Sequence, residues 1–410
     1  MIKMLYFSGN EWGNMGRRKP RLAYEFARMP EVASVLYVEP PVATSVLDLI
    51  RGRLGSGYLP PSRRAHLRAL LGRVRQTVGK VSIYTGSTKT VPLTRFRAVR
   101  RMDGLRRLNE RLYFGGIRRA LRRLPGEELI VWVSHPLHAG ALDGFPERAL
   151  ACYDWTDDWA AFDVLPVKDP AELIGWNDAI LSTVDLVFAV SAELEQRATR
   201  VALRAVRAPN ATDPQKLSAA AIEGPLAPEL EGLPRPIVGY VGQVADKIDY
   251  ELIGRLARAR PGWSFVFVGP VWFNKQEVTA ELDALANVHF LGFRPFDRLA
   301  SYLRGFDVCT LPHVVSPLTQ SMDPIKLYDY LATGKPIVST PVAGVERFAD
   351  VVHVAPTAMT FVTALESALE EDGRLAQRRH GYAQANTWPA RADEIWQVLR
   401  ASLAGGEVKN

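Results

Sequence analysis

A lysine and an aspartate three residues apart raise the first chemical question in this chain. Residues 321–340 read SMDPIKLYDYLATGKPIVST. The segment has the marks of a short helix, with Asp323 as N-cap, Pro324 at the first helical position, and Gly334 and Pro336 closing it. Helical spacing puts Lys326, Asp329, Tyr330 and Thr333 on one face, and Ile325, Tyr328, Leu331 and Ala332 on the apolar one. A lysine in the first turn sits at the positive end of the helix dipole, where a cation is mildly unfavourable. The unpaired N–H groups of that turn bind anions, so a phosphate or diphosphate would relieve the conflict. Asp329 would then accept hydrogen bonds from a ribose. A surface Lys–Asp pair has the same spacing and contributes only about 0.2–0.5 kcal/mol.

Three further stretches carry chemistry. CYDWTDDWAAFD (152–163) runs from a strand into acids and aromatics. A desolvated Asp157 or Asp158 at the end of a parallel strand can act as a general base toward a hydroxyl, and an N-cap aspartate with tryptophan packing is the simpler reading. His135 and His138 in SHPLHAG are three apart and lack further ligands for zinc, which leaves loop histidines beside an acceptor. GNEWGNMGRRKPRLA (9–23) is a glycine-rich turn entering a helix. There Asn10, Arg17, Arg18 and Lys19 could face a phosphate on a lipid carrier, and an ordinary basic helix start fits equally. No G-x-G-x-x-G follows the first strand, which argues against dinucleotide chemistry.

The elements that must position these residues alternate strand and helix from end to end. Strands are expected over 3–9, 34–40, 81–86, 129–135, 149–155, 186–191 and 205–210, then 236–242, 264–270, 288–293, 307–312, 335–340 and 351–356. Helices are expected over 18–29, 62–77, 96–123, 170–183, 192–202, 249–259, 276–286, 296–304 and 324–333. The strands are nearly continuous apolar runs, as in parallel sheets covered on both faces. The class is α/β with two doubly wound sheets, whose ligands bind beyond the carboxyl ends of the strands. Residues 1–212 form the first domain, the Pro- and Ala-rich 213–235 a linker, 236–385 the second domain, and 386–410 a closing helix.

The 410 residues are 47% apolar and 23% charged, a globular profile. The strand-like start and the lack of a long apolar run predict neither signal peptide nor bilayer span, hence a cytoplasmic protein. Cys152 and Cys309 read as buried free thiols. The net charge of +7 is uneven. Residues 51–123 hold 20 Lys and Arg against Asp103 and Glu110, a local +18 that leaves −11 elsewhere. Leu, Tyr, Phe and Ile between the arginines suit an anionic membrane surface, and a solvated helix face is the plain alternative. Nucleic acid is the weaker competitor.

PIKLYDYLATGKPIVST resembles the donor-binding segment of GT-B glycosyltransferases near the large retaining family called GT4. That family carries an acid, seven residues, a second acid on a helix, then a small-Gly-x-Pro strand. Asp329 matches the second acid, which in the family contacts the nucleotide ribose. Ser321 stands where the first acid is usual, which bears on the donor-sugar contact and the retaining mechanism. GYVGQVADKIDYELIGRLA (239–257) is similar to the family's glycine-rich turn toward the donor diphosphate. Gly242 keeps the turn, Lys247 stands at its lysine and Gln243 replaces its arginine. APNATD (208–213) resembles the close of the first domain, and NTWPARADEIWQVL the returning helix. The strand-end acids are similar to those of the xanthan glucuronosyltransferase, an inverting GT-B enzyme, which points to Asp157 first and Asp158 second as base. The resemblance implies a metal-independent transferase with no cofactor. It would use a nucleotide sugar, UDP-linked by expectation, and a lipid-linked or polysaccharide acceptor. A nucleotide-sugar epimerase of the same fold and a non-catalytic scaffold are the rival readings.

Overall fold

The computed structural model describes residues 1–13, 15–42, 67, 69–87, 103–162, 170–217, 224–272 and 276–405. Two sheets organise the chain. The first contains β1 (Ile2–Phe7), β2 (Val32–Val38), β3 (Arg73–Val78), β4 (Val81–Thr85), β5 (Glu128–Val133), β6 (Leu150–Trp155), β7 (Leu186–Ala189) and β8 (Ala205–Arg207). Its order is β3-β4-β2-β1-β5-β6-β7-β8, parallel except for β3. The second contains β9 (Ile237–Val241), β10 (Ser264–Val268), β11 (Val288–Gly292), β12 (Val308–Leu311), β13 (Ile337–Ser339) and β14 (His353–Val354). Its order is β11-β10-β9-β12-β13-β14, parallel throughout. In each sheet the chain reverses direction of growth beside its first strand, β1 or β9. Such switch points open the crevices that hold ligands.

The helices that matter for the site are α1 (Arg18–Arg28), α2 (Asp103–Leu121), α3 (Pro170–Leu181), α4 (Ala192–Ala198), α5 (Tyr250–Ala259), α6 (Ile325–Thr333), α7 (Ala358–Leu369), α8 (Gly373–Ala385) and α9 (Trp388–Ala404). Strand interiors such as LYF of β1 and LIVWV of β5 are buried on both faces, as their unbroken apolar runs predict. Removing that surface from water is what holds each layer together. Both cysteines are free and buried. Among the described residues no helix is long and apolar enough to cross a membrane.

One expectation needs correction. The tail of the helix expected over 62–77 is strand β3, antiparallel to β4 across a turn at Gly79, where φ is +57°. Its sequence RVRQTV alternates branched and long polar residues on a largely exposed edge, where helix periodicity is uninformative. Residues 62–66 and 68 lie outside the described residues. Residues 51–66 and 88–102 of the Arg-rich stretch lie outside them too. Within the stretch 213–235, Leu217, Ala227 and Leu230 are buried in the second domain's core. The closing helix α9 crosses back as expected and inserts Trp388, Ile395, Trp396 and Leu399 into the first domain's core, Trp396 lying 6.3 Å from the Phe26 ring.

Candidate active site between the two sheets

The carboxyl ends of both sheets face each other across a cleft of about 680 Å³. The first domain contributes Gly9, Asn10, Arg17, His135 and Asp157 to its walls, and the second contributes Gly242, Gln243, Lys247, Lys326 and Asp329. Apart from His138, the site residues expected from sequence line this one space. They do not all have a free polar group to offer.

On the second domain the centre is a pair of lysines. Helix α6 begins at Ile325 with Pro324 as N-cap, so Lys326 is its second residue. Asp323, the expected cap, is turned elsewhere. The Lys326 side chain is buried and runs past Gly242 toward the Tyr240 ring, with Nζ 5.3 Å from the ring centroid. A Cβ at Gly242 would lie 2.2 Å from Lys326 Cε, and the residue's φ is +147°, so two independent reasons require glycine. Behind it Gly269 packs so that its own Cβ would meet the Gly242 carbonyl at 2.0 Å. Lys247 lines the same cleft, near enough for its charge to act on Lys326. Its loop is fixed by backbone bonds from Val314 N–H to the Lys247 carbonyl (2.9 Å) and from Asp249 N–H to the Pro312 carbonyl (2.8 Å). Burial pushes both lysines below the usual lysine range, Lys326 further because Lys247 repels it.

Asp329 accepts the Thr212 hydroxyl at 2.7 Å, and burial pushes its carboxyl up to about 7. Tyr330 corrects an expectation. Its hydroxyl accepts the Val241 N–H at 2.8 Å and its ring is core, so its first task is to fix the end of β9. Gln243 accepts the Tyr240 hydroxyl on its carbonyl at 3.1 Å, and its side chain faces the cleft. Ser321 donates to the Leu318 carbonyl, and its own carbonyl accepts the Ser191 hydroxyl across the domains at 2.6 Å.

The first domain sorts its charged residues sharply. Arg18 is not available to a ligand: its guanidinium spans both Asp154 oxygens (2.8–3.1 Å) and the Pro209 carbonyl (2.9 Å), all buried. Asp158 is likewise committed, accepting Arg197 and the Ala160 N–H as cap of a single 3-10 turn. The N-cap reading holds for this acid, which removes it as an alternative base. Asp157 is different. One carboxylate oxygen accepts the Thr156 hydroxyl at 2.6 Å, its carbonyl holds the Trp155 indole at 2.9 Å, and no ion pair engages it among the described residues. Its charge is felt by Lys19 and, across the cleft, by Lys247. Arg17 is exposed and lies near enough to repel both donor-side lysines. Asn10 is fixed by its backbone, which exchanges bonds with the Ser8 hydroxyl and accepts Tyr37.

His135 Nδ1 accepts the Leu137 N–H at 3.1 Å, and the ring meets Trp159 edge-on at 4.6 Å. Burial, with the nearby Lys19 charge, pushes it well below the usual histidine range. The neutral ring therefore carries its hydrogen on Nε2 and can donate it. His138 is structural, bonded to the Ser8 carbonyl at 3.0 Å.

Sequence reasoning missed the joint between the domains. Asp323 accepts the Asn210 N–H at 2.5 Å and the Tyr328 hydroxyl at 2.9 Å, and Asn210 Nδ2 donates to the Asp323 carbonyl at 2.6 Å. The pairing of NAT with DPIK offered no signal, because 113 residues separate the partners. Phe296 was missed as well: it packs against Gly16 so closely that a Cβ there would sit 2.1 Å from its ring. The glycine-rich turn serves this contact between domains.

Residues 235–371 match the family described as Glycosyl transferases group 1. The solved structures similar to the whole chain show the same two-domain fold. Sucrose-phosphate synthase from Thermosynechococcus elongatus has a TM-score of 0.69 at 15% identity, covering 99% of this chain and 100% of that one. A UDP-forming alpha,alpha-trehalose-phosphate synthase from Burkholderia vietnamiensis has 0.66 at 14%, covering both chains fully. Anabaena HepE, solved with UDP and glucose, has 0.63 at 14%, covering 97% and 99%. The architecture is GT-B, and residues 235–371 of the second domain are similar to the glycosyl transferases group 1. Among named relatives, the chain is 27% identical over 165 residues to a putative teichuronic acid biosynthesis glycosyltransferase, TuaH, of Bacillus subtilis (strain 168). That match spans 39% of this chain and 42% of the relative.

Proposed function

We propose that the protein transfers a sugar from a UDP-linked donor to a hydroxyl of a lipid-linked or polysaccharide acceptor in cell-surface glycan assembly. The observation that carries this reading is the Lys247–Lys326 pair at the Gly242 turn. A lysine in the first turn of α6 and a second in the loop after β9, both lining one cleft, form a site for a diphosphate. Asp329 takes the ribose, and the first domain takes the acceptor. HepE, solved with UDP and glucose, and the teichuronic acid relative support donor and pathway class.

In this mechanism an acceptor hydroxyl beside Asp157 attacks the anomeric carbon opposite the diphosphate. The bond from that carbon to the diphosphate oxygen breaks with its electron pair staying on oxygen, where the two lysines receive the charge. The hydroxyl proton passes to Asp157, the strand-end acid without an ion pair, and the product is inverted. His135 Nε2–H is placed to hold a sugar oxygen. The leaving charge falls on ammonium groups, so turnover that persists in EDTA is the expected outcome. The Arg-rich 51–123 segment would hold the first domain to anionic lipid at the inner face of the cytoplasmic membrane. Flotation with anionic liposomes that is lost at high salt tests that part.

Incubation with a UDP-sugar, with and without acceptor, tests the reaction. Transfer requires the acceptor, whereas a new UDP-sugar formed without one would make the protein an epimerase. An anomeric proton NMR signal showing retention would remove Asp157 as base.

A further inference from the structure

The chain crosses between the domains twice, and the two crossings meet at Thr212. Its N–H donates to the Asn386 carbonyl at 3.0 Å, and its carbonyl accepts the Trp388 N–H at 3.2 Å. Asn386 caps the end of α8, and Trp388 opens α9 and is buried in the first domain's core. Thr212 itself is buried, with both backbone groups engaged, and a threonine is stiff at χ1. Its hydroxyl is therefore a donor held in one place. It donates to Asp329 Oδ1, 2.7 Å away.

The residues beside Thr212 tie the same short segment to both domains. Toward the first, the Pro209 carbonyl accepts Arg18 of α1 at 2.9 Å, and Asp213 pairs with Arg21 of α1 at 3.2 Å. Toward the second, the Asn210 N–H donates to Asp323, just ahead of α6, at 2.5 Å. Asp329 lines the cleft one turn after Lys326. The charges that act on it are Lys326 on its own helix, which favours the carboxylate, and Asp213 on the crossing segment, which opposes it. Among the described residues the Thr212 hydroxyl is the only hydrogen-bond donor to that carboxylate.

Resting on the donor reading above, we infer that Thr212 is a positioning residue for the donor. Its hydroxyl holds one Asp329 oxygen and leaves the other to accept a ribose hydroxyl. The ribose contact is thus set from the crossing segment, which the first domain grips through Arg18 and Arg21. Side-chain support of this kind keeps a binding group in its productive geometry before the ligand arrives.

The same bond has a second effect. A donor to a carboxylate favours its ionised form, here in a carboxyl that burial pushes up to about 7. Without the hydroxyl, Asp329 holds its proton to higher pH. Affinity that depends on its charge is then lost earlier as pH falls.

Calorimetric titration of the full chain with UDP, at pH 8 and in steps down to pH 6, tests this with two variants. Thr212→Val keeps the shape and removes the hydroxyl, and Thr212→Ser keeps the hydroxyl. The expected result for Thr212→Val is UDP affinity about tenfold weaker at pH 8, with the acid-side loss beginning about one pH unit higher than in the parent. Thr212→Ser returns both to near the parent values. Asp329→Asn reports the part of the profile that belongs to UDP itself, and adding Thr212→Val to it should move that profile no further. A melting curve checks each fold, and Thr212→Ala takes the place of Thr212→Val if the latter does not fold. Parent affinity with an unmoved profile in the hydroxyl-free variant, or an equal shift in the Asp329→Asn background, overturns the inference and leaves the donor site standing. A Thr212→Ser variant as weak as Thr212→Val assigns the effect to packing and also overturns it. Absence of UDP binding by the parent protein overturns the donor reading and this inference together.

Discussion

Lys326 is the residue on which the proposed donor site turns, and Gly242 is what gives its side chain room. Replacing Lys326 with Ala removes a charge-assisted contact worth about 1.5–3 kcal/mol, so UDP affinity should fall roughly 10- to 100-fold with the fold intact. Calorimetry and a melting curve check both halves. Gly242→Ala should weaken UDP binding comparably without touching a charge, because its methyl would occupy the Lys326 Cε position. Equal affinities for Gly242→Ala and the parent would mean that the Lys326 trajectory is irrelevant. Asp329 adds an acid limb. Its carboxyl, pushed up to about 7, is neutral below that pH and a poorer acceptor for ribose hydroxyls. UDP affinity should therefore drop as pH falls through about 7, and Asp329→Asn should flatten that drop while binding less tightly at pH 8. Lys326 drew attention because its conflict with the helix dipole is local, while Asp329 and Asp157 were singled out by helix spacing, strand-end position and the family resemblance. The sequence left Arg18 and Asp158 ambiguous, since Asp154 and Arg197, the partners that engage them, come from distant parts of the chain.

At the scale of elements, α6 and the turn after β8 form the hinge-side joint. Asp323 is buried there against Asn210, Tyr328 and Arg347. Asp323→Ala leaves the Asn210 N–H and the Tyr328 hydroxyl without this acceptor. It should cost about 1–3 kcal/mol in denaturant unfolding. A change below a few tenths would show that the joint carries no energy. Most strands were legible because buried parallel strands are apolar runs, whereas β3 was not, because RVRQTV is an exposed edge with no core face to declare itself. Helix α6 was placed one residue early for a related reason: an aspartate before Pro reads as a cap unless its distant partner is known.

The whole molecule is two α/β domains joined twice, by residues 208–217 going out and by α9 coming back. Those two crossings set the sheets with their carboxyl ends opposed, so a donor grip on one side faces an acid and a neutral histidine on the other. That arrangement was legible from the strand order and closing helix, while the spacing across the cleft depends on contacts such as Gly16 against Phe296 that no local pattern reveals. The central claim is that the two lysines hold the donor diphosphate. A crystal soaked with UDP tests it most directly. The account predicts the diphosphate at the start of α6, within hydrogen-bonding distance of Lys247 and Lys326, with the ribose at Asp329. A diphosphate elsewhere in the cleft, away from both lysines, would contradict it.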